Sequence, residues 1–598
     1  MTTLETTRRR FMATFTGAGV AGTLFPGVLW ARVQDSGAER VTLAMVTEAL
    51  KLSGVEMTDE EKKTLVESAN RNLNGYEEIR KLHIPPDVSP PFHFSPVVPG
   101  ITVNKARQPF RLSAAPTVKR PANLEDVAFW PLRHLAELVR SRQVTSLELS
   151  EMYLARLHRY NGLLNNVVTF LDDYGRAEAK RADSEIGSGK YKGPLHGIPW
   201  GAKDIISVRG YKTTWGSNAF KEQVLDYDAT VVEQLREAGA VLIAKVTTGE
   251  LAGGDNWFGG QTKSPWDPSQ GSSGSSAGPA SATAAGCIAF GIGTETSGSI
   301  LSPSARCGLA GLRPTFGRIS RYGVMALSWT QDRLGPICRY AEDCAIVMQT
   351  IAKPDGRDMS VSDVPFNWNA TFDIKKLKVG IIQDSFDTIT NASAKANAEK
   401  MLQTLRTLGV TQFIPIAVPT FPVNVGGFNV ERTAYFDEHA RSGRMKGARG
   451  GNQAPGRLIP APEYLQQQRA RMMMMIELAK ATAHVDVYLV GSNNTGVGGP
   501  GPGGRGGPAP LTPPPPQPER QQSPTQRHFS YANLAGYPAI NLPNGFADTG
   551  GPTNAVIYAQ PFRELEILAL AKAYQDAAGF HLIKPAKLDQ VTTTPASV

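Results

Sequence analysis

A chain of 598 residues, 41% hydrophobic and 20% charged, has the composition of a soluble globular protein, which excludes wholesale disorder. At about 100–200 residues per domain, that length predicts several units. The net charge of +9 invites a nucleic-acid or membrane-surface reading, but no Lys/Arg cluster with interleaved aromatics occurs, so the charge reads as a mildly basic solvated surface.

The densest basic run, Arg8-Arg9-Arg10, precedes a weakly apolar stretch rich in Gly and Ala, from Ala13 to Trp30. Residues 1–31 together resemble a twin-arginine export signal. Thr14, Thr16 and Pro26 interrupt the apolar stretch and argue against a permanent membrane span. The expectation is an exported protein, periplasmic or extracellular. Residues 32–84 read as a helical extension. Its periodicity, from Thr42 to Leu82, breaks at Gly54 and restarts at Thr58, an N-cap whose capping box Glu61 completes. Residues 85–123 are dense in Pro and read as an extended tether along a larger body.

From residue 124 to about 590 helical and strand patterns alternate, as in a layered α/β domain. Helices are predicted from Leu132 to Arg140, Ser146 to Arg159 (capped by Thr145 or Ser146), Tyr174 to Ile186, Ala229 to Gly239 and Ile337 to Ala352. Strands are predicted from Val167 to Leu171, Ala240 to Val246, Leu377 to Ile382 and Val485 to Val490. The run Met472 to Met475 falls in a helical pattern and reads as adaptable core packing. Residues 493–526, rich in Gly and Pro, cannot bury apolar area and read as a disordered surface insertion. Cys287, Cys307, Cys338 and Cys344 form no Cys-x-x-Cys pair and sit mostly in small or apolar contexts, so four free core thiols are expected. No metal-ligand spacing stands out, GIGTETSG lacks the third Gly of a dinucleotide fingerprint, and there is no P-loop, so no cofactor or metal is expected.

The informative stretch runs from Gly271 to Pro314: a Gly/Ser loop, a small-residue run, a short apolar run and a second Gly/Ser turn. A Ser in such a turn is open to a substrate carbonyl, and successive backbone N–H groups there can converge on a developing oxyanion. Upstream, GPLHGIPWGAKDI (Gly193 to Ile205) sets Lys203 in an apolar, turn-forming context where it could act as the base. Two simpler readings compete. Lys203 beside Asp204 could form an ordinary ion pair, and GSSAG around Ser276 matches a nucleophile elbow. The elbow needs a strand immediately before it, whereas Pro265 to Gly271 reads as a turn-rich loop.

These residues resemble the amidase signature family. GSSAGPASATAAG (Gly274 to Gly286), GTETSGSI, GLRPTFGRISRYGV (Gly311 to Val324) and LHGIPWGAKD occur in the family's order, and the resemblance runs from about Leu124 to the 580s. It implies one α/β domain with a large mixed β-sheet core sandwiched by helices. It also implies Ser299 as nucleophile, Ser275 as bridging serine on a non-proline cis peptide, and Lys203 as base. The backbone N–H groups of Thr296, Ser297, Gly298 and Ser299 would form the oxyanion hole, and Ala252 would contact substrate. His196 and Glu250 occupy family positions expected to be structural. The chain departs from the family pattern in having Glu295 for the usual Asp, Leu301 for the usual Arg, and Ser297 for a Gly. Arg306 is the expected substitute partner of Glu295.

The function implied is hydrolysis of linear carboxylic amides through a Ser-Ser-Lys triad, with a small-molecule amide as partner and no nucleic acid. Two alternatives are the glutaminase subunit of a tRNA-dependent amidotransferase, which needs partner subunits and a cytoplasmic address, and an exported binding protein that kept the fold without catalysis.

Overall fold

The computed structural model describes residues 40–53, 56–82, 94–421, 428–449, 454–494 and 523–588. The anticipated export segment and residues 495–522 of the anticipated insertion lie outside the described residues. The chain divides into two compact units.

The smaller unit contains the helices Leu43–Ser53 and Asp59–Lys81. Thr58 caps the second helix reciprocally: Glu61 N–H donates to Thr58 Oγ1 at 3.3 Å, and Thr58 N–H donates to the Glu61 carboxylate at 2.8 Å. Val41, Val46, Leu50, Leu65 and Val66 form its apolar core. Residues 428–446 and 454–470 join the same unit, so the extension shares its packing with chain nearly four hundred residues further on.

The larger unit is built on an eleven-stranded mixed sheet. In chain order the strands are β1 (Val167–Phe170), β2 (Pro199–Lys203), β3 (Val241–Val246), the short β4 (Asn256–Trp257), β5 (Gly260–Gln261) and β6 (Lys263–Ser264), then β7 (Asp267–Gly271), β8 (Phe290–Glu295), β9 (Ala310–Arg313), β10 (Arg333–Cys338), β11 (Val379–Ile381), β12 (Phe413–Pro415), β13 (Val487–Val490), β14 (Ala539–Phe546) and β15 (Pro552–Tyr558). The large sheet runs β1-β3-β2-β8-β10-β9-β14-β15-β13-β11-β12, while β4–β5 and β6–β7 form two small hairpin-like pairs. Every residue of β2, β3, β8, β9 and β10 is buried, because helices cover both faces of the sheet. The helix Ala277–Ala284 consists of Ala, Gly, Ser, Thr and Pro, all buried, and these small side chains let its backbone lie close against β8.

Several expected elements form where the periodicity places them. Leu132–Arg140 is a helix, and Ser146–Leu164 starts at a Thr145–Glu148 capping box. The predicted helix from Ile337 to Ala352 is corrected: Ile337 and Cys338 end strand β10, and the helix spans only Ala341–Ile351. A strand buried on both faces lacks alternation and reads like helix. Residues 94–123 form little regular structure and lie along the larger unit, with Arg111 exchanging backbone hydrogen bonds with Trp368 and Ala370 at 2.9 Å. Ser523 caps the helix Pro524–Leu534 through a box with Gln526, so the last residues assigned to the insertion begin a helix. Met474 and Met475 are buried, and all four cysteines are buried and unpaired. Among the described residues no helix is long and apolar enough to cross a membrane.

Candidate active site

β2 and β8 are adjacent and parallel, with Ala202 opposite Ile292, so both strands deliver their C-terminal residues to the same edge of the sheet. Lys203 is the last residue of β2 and is fully buried. Its Nζ donates to Ser275 Oγ and to Thr294 Oγ1, each at 2.8 Å, and the Thr294 carbonyl lies at 3.5 Å. Among the described residues no carboxylate touches it. Burial drives the Lys203 pKa down from 10.5 to about 7, although the fields of Asp332 and Glu295 pull the other way. An amine with that pKa is substantially neutral near physiological pH.

The simple ion-pair reading of Lys203 does not hold, because Asp204 pairs with Lys245 at 2.8 Å and accepts the Thr214 hydroxyl and N–H. The elbow reading fares no better. β7 does precede the Ser segment as a strand, where a loop was expected, but it pairs only with β6 in a small separate sheet. Ser276 Oγ is also taken up by the backbone of Thr294, donating to its carbonyl at 3.0 Å and accepting its N–H at 3.1 Å.

Ser275 is 1% exposed and follows a cis Gly274–Ser275 peptide bond. A Cβ on Gly274 would meet the Gly254 carbonyl at 1.9 Å, so only glycine permits this approach. The Ser275 carbonyl accepts the Gly249 N–H at 3.2 Å. The loop from Gly249 to Gly254 thus lies against Ser275, and it carries Ala252, half-buried and at φ 57°. Glu250, in the same loop, accepts the Ser217 hydroxyl at 2.7 Å. His196 is remote from this chemistry: it is buried, accepts the Lys192 N–H on Nδ1 at 3.0 Å, and stacks on Tyr191.

Ser299 is half-buried, in the turn that follows β8. Its carbonyl accepts the Ser276 N–H at 3.1 Å, which ties the nucleophile candidate to the residue after Ser275. Among the described residues its hydroxyl makes no hydrogen bond. The turn is held by its carbonyls. Thr296 C=O accepts the Asn533 side-chain amide, and Gly298 C=O accepts the Ser302 N–H at 2.8 Å. In a trans peptide N–H and C=O point in opposite directions. The Ser297 and Ser299 N–H groups are therefore turned away from these anchors, and neither donates to another backbone group among the described residues. Gly298 sits at φ 89°, a conformation that favours glycine.

Glu295 braces the turn from inside. Its Oε2 accepts the N–H groups of Ile300 and Leu301 at 2.8 and 2.9 Å, and its Oε1 pairs with Arg313 at 3.0 Å. The substitute partner is therefore Arg313, on β9, and not Arg306. Burial opposes ionisation of Glu295, but Arg313, Arg333 and the two N–H groups outweigh it and hold the carboxyl below its ordinary value. Leu301, where the family has Arg, is 4% exposed. Arg313 and Arg333 both donate to Asn533 Oδ1, so one cluster supports Glu295 and Thr296 together.

Sequence reasoning missed Thr294, Asp332, Asn533, Arg313 and Arg333. Thr294 carried a usable signal as a polar residue that, with Glu295, ends a strand otherwise made of apolar residues and Gly.

A mixed α/β fold with a dry lysine–serine pair at the carboxyl edge of its sheet, beside a Gly/Ser turn presenting backbone N–H groups, defines the class of protein. The chain belongs to the Amidase family, whose model matches residues 148–568. It is 31% identical over 480 residues to a glutamyl-tRNA(Gln) amidotransferase subunit of Chromohalobacter salexigens, covering 76% of this chain and 98% of that one. The corresponding Coxiella burnetii protein is 37% identical over 294 residues, 48% of this chain, and the match spans only 60% of that protein's length. Among solved structures, the peptide amidase of Stenotrophomonas maltophilia matches with a TM-score of 0.63 and 26% identity, over 76% of this chain and 98% of its own. The Thermotoga maritima amidotransferase subunit of the same name as the Chromohalobacter one shares the fold at a TM-score of 0.54 and 22% identity, over 73% of this chain and 95% of its own.

Proposed function

We propose that the chain hydrolyses linear carboxylic amides through an acyl-enzyme on Ser299. The observation that carries this reading is the 2.8 Å contact between Ser275 Oγ and a fully buried Lys203 whose pKa is about 7. The neutral amine takes the Ser275 proton while Ser275 takes the proton of Ser299, whose oxygen forms a bond to the amide carbon. The resulting oxyanion is received by backbone N–H groups of the 296–299 turn, a type of interaction worth about 3–4 kcal/mol per donor. Collapse breaks the C–N bond, and the proton on Lys203 returns through Ser275 to the departing amine. Water then repeats the sequence on the ester and frees the acid.

A fluorophosphonate probe tests the assignment directly. Labelling of wild type that is lost in Ser299→Ala supports the hydrolase, and absence of labelling at any pH favours a binding protein. An amide library then identifies the acyl group.

The glutaminase-subunit reading keeps a place because of the near full-length match to the Chromohalobacter protein. Its sign would be co-purification with two partner subunits. The Arg8-Arg9-Arg10 leader favours export instead. Cell fractionation of the wild type and an Arg8→Lys/Arg9→Lys variant separates the two, since only an exported amidase loses its location in the variant.

A further inference from the structure

Asp332 has no role in the relay, yet it is hydrogen-bonded to the first residue of the oxyanion turn. β10 begins at Arg333, which faces Glu295 across the antiparallel β8–β10 ladder, so Asp332 comes level with Thr296 just beyond the sheet edge. The Thr296 hydroxyl donates to Asp332 Oδ1 at 2.5 Å. Oδ2 accepts the N–H groups of Leu327 and Ser328 at 2.7 and 2.9 Å. One carboxylate therefore joins the first residue of the oxyanion turn to the 327–328 loop. The opposite side of Thr296 is held through its carbonyl by Asn533.

We propose that Asp332 is a positioning residue for amide hydrolysis: it fixes Thr296, and with it the first peptide of the oxyanion turn, while its charge acts on Lys203. This rests on the hydrolase reading above. The groups facing Lys203 are the Ser275 and Thr294 hydroxyls and the Thr294 carbonyl, with Asp332 and Glu295 as the charges it senses. Asp332 in turn faces the Thr296 hydroxyl, the two loop N–H groups and the charge of Arg321. Burial pushes the Asp332 carboxyl above its ordinary value, against the pull of those hydrogen bonds. Removing its charge makes the lysine ammonium less favourable, so the base deprotonates at lower pH.

The test uses the full chain, three variants read by turnover, and Lys203→Met, alone and with Asp332→Asn, read by stability. Thr296→Val, which keeps the shape and removes the hydroxyl, is expected to lower kcat by about tenfold or more with little change in KM. Thr296→Ser, which restores the hydroxyl, should recover most of that loss. Asp332→Asn should move the acidic limb of the kcat/KM profile to lower pH. A Thr296→Val enzyme with wild-type kcat, or an Asp332→Asn profile with an unmoved acidic limb, overturns the proposal. A readout independent of turnover is the pH at which the stabilities of wild type and Lys203→Met begin to diverge. In the Asp332→Asn background that pH falls whether or not amides are cleaved, and an unmoved value also counts against the proposal. Failure of the hydrolase reading has a different mark, a wild-type chain that takes no fluorophosphonate label at any pH.

Discussion

Asp204 pairs with Lys245, 2.8 Å away and equally buried, and not with Lys203, its neighbour in the chain. Lys203 ends β2 and Lys245 is the last but one residue of the parallel neighbouring strand β3, one step apart in register, with Lys203 opposite Val246 and Ala202 opposite Lys245. Of two buried lysines on adjacent strands, one is compensated by an acid and the other has only two hydroxyls and a carbonyl within reach. Removing the compensation in Lys245→Met leaves Asp204 buried and unpaired, at an expected cost of about 3–5 kcal/mol. Urea denaturation should show Asp204→Asn/Lys245→Met recovering most of that loss.

The lone lysine makes both activity and stability depend on pH. Activity should rise with pH through about 7, as Lys203 loses its proton. Its pKa is depressed in the folded chain, so between about 7 and 10.5 the unfolded chain binds more protons than the folded one. Its contribution to stability is therefore fully present above the upper value and lost as pH falls to the lower. Over that window wild type should gain up to about 1.4 kcal/mol per pH unit relative to Lys203→Met, read from denaturation midpoints.

The adjacent serines should respond differently to alanine. Ser276→Ala strips two buried backbone groups of Thr294 of their partner, costing about 1–3 kcal/mol of stability, while folded molecules still label at Ser299. Ser275→Ala should leave the melting temperature near wild type and slow labelling by about a hundredfold or more.

Restoring the family arginine should harm this chain. Leu301→Arg would bury a third guanidinium beside a Glu295 already paired with Arg313 and in the field of Arg333, so a loss of several kcal/mol and a lower soluble yield are expected, measured by thermal melting. Arg313→Met in the same background should relieve part of that loss.

The readable parts of this chain were those governed by local chemistry. Thr58 announced its helix because a capping box is complete within four residues, and Thr145 or Ser146 marked the start of another, where the structure makes Thr145 the cap. The cluster around the base was partly readable, since Lys203 and the Ser275 loop carry recognisable local patterns. What local pattern could not give was partnership across the sheet. Arg306 lies nearer to Glu295 in sequence, but strand order puts β9, and so Arg313, within reach of it. Asp332 was overlooked for the same reason, as its link to Thr296 exists only through the β8–β10 register. Ile337 was misread because complete burial on both faces erases the two-residue rhythm of a strand.

Lys203 is kept neutral by dryness and not by a neighbouring positive charge. Anything that lets water reach its nitrogen, such as mild denaturant, warming, or a cavity opened under the helix Ala277–Ala284, restores the affinity for a proton and silences the amine at neutral pH. Catalytic competence should therefore fade ahead of global unfolding, and the gap between the two would measure how tightly the small residues of that helix seal the sheet edge.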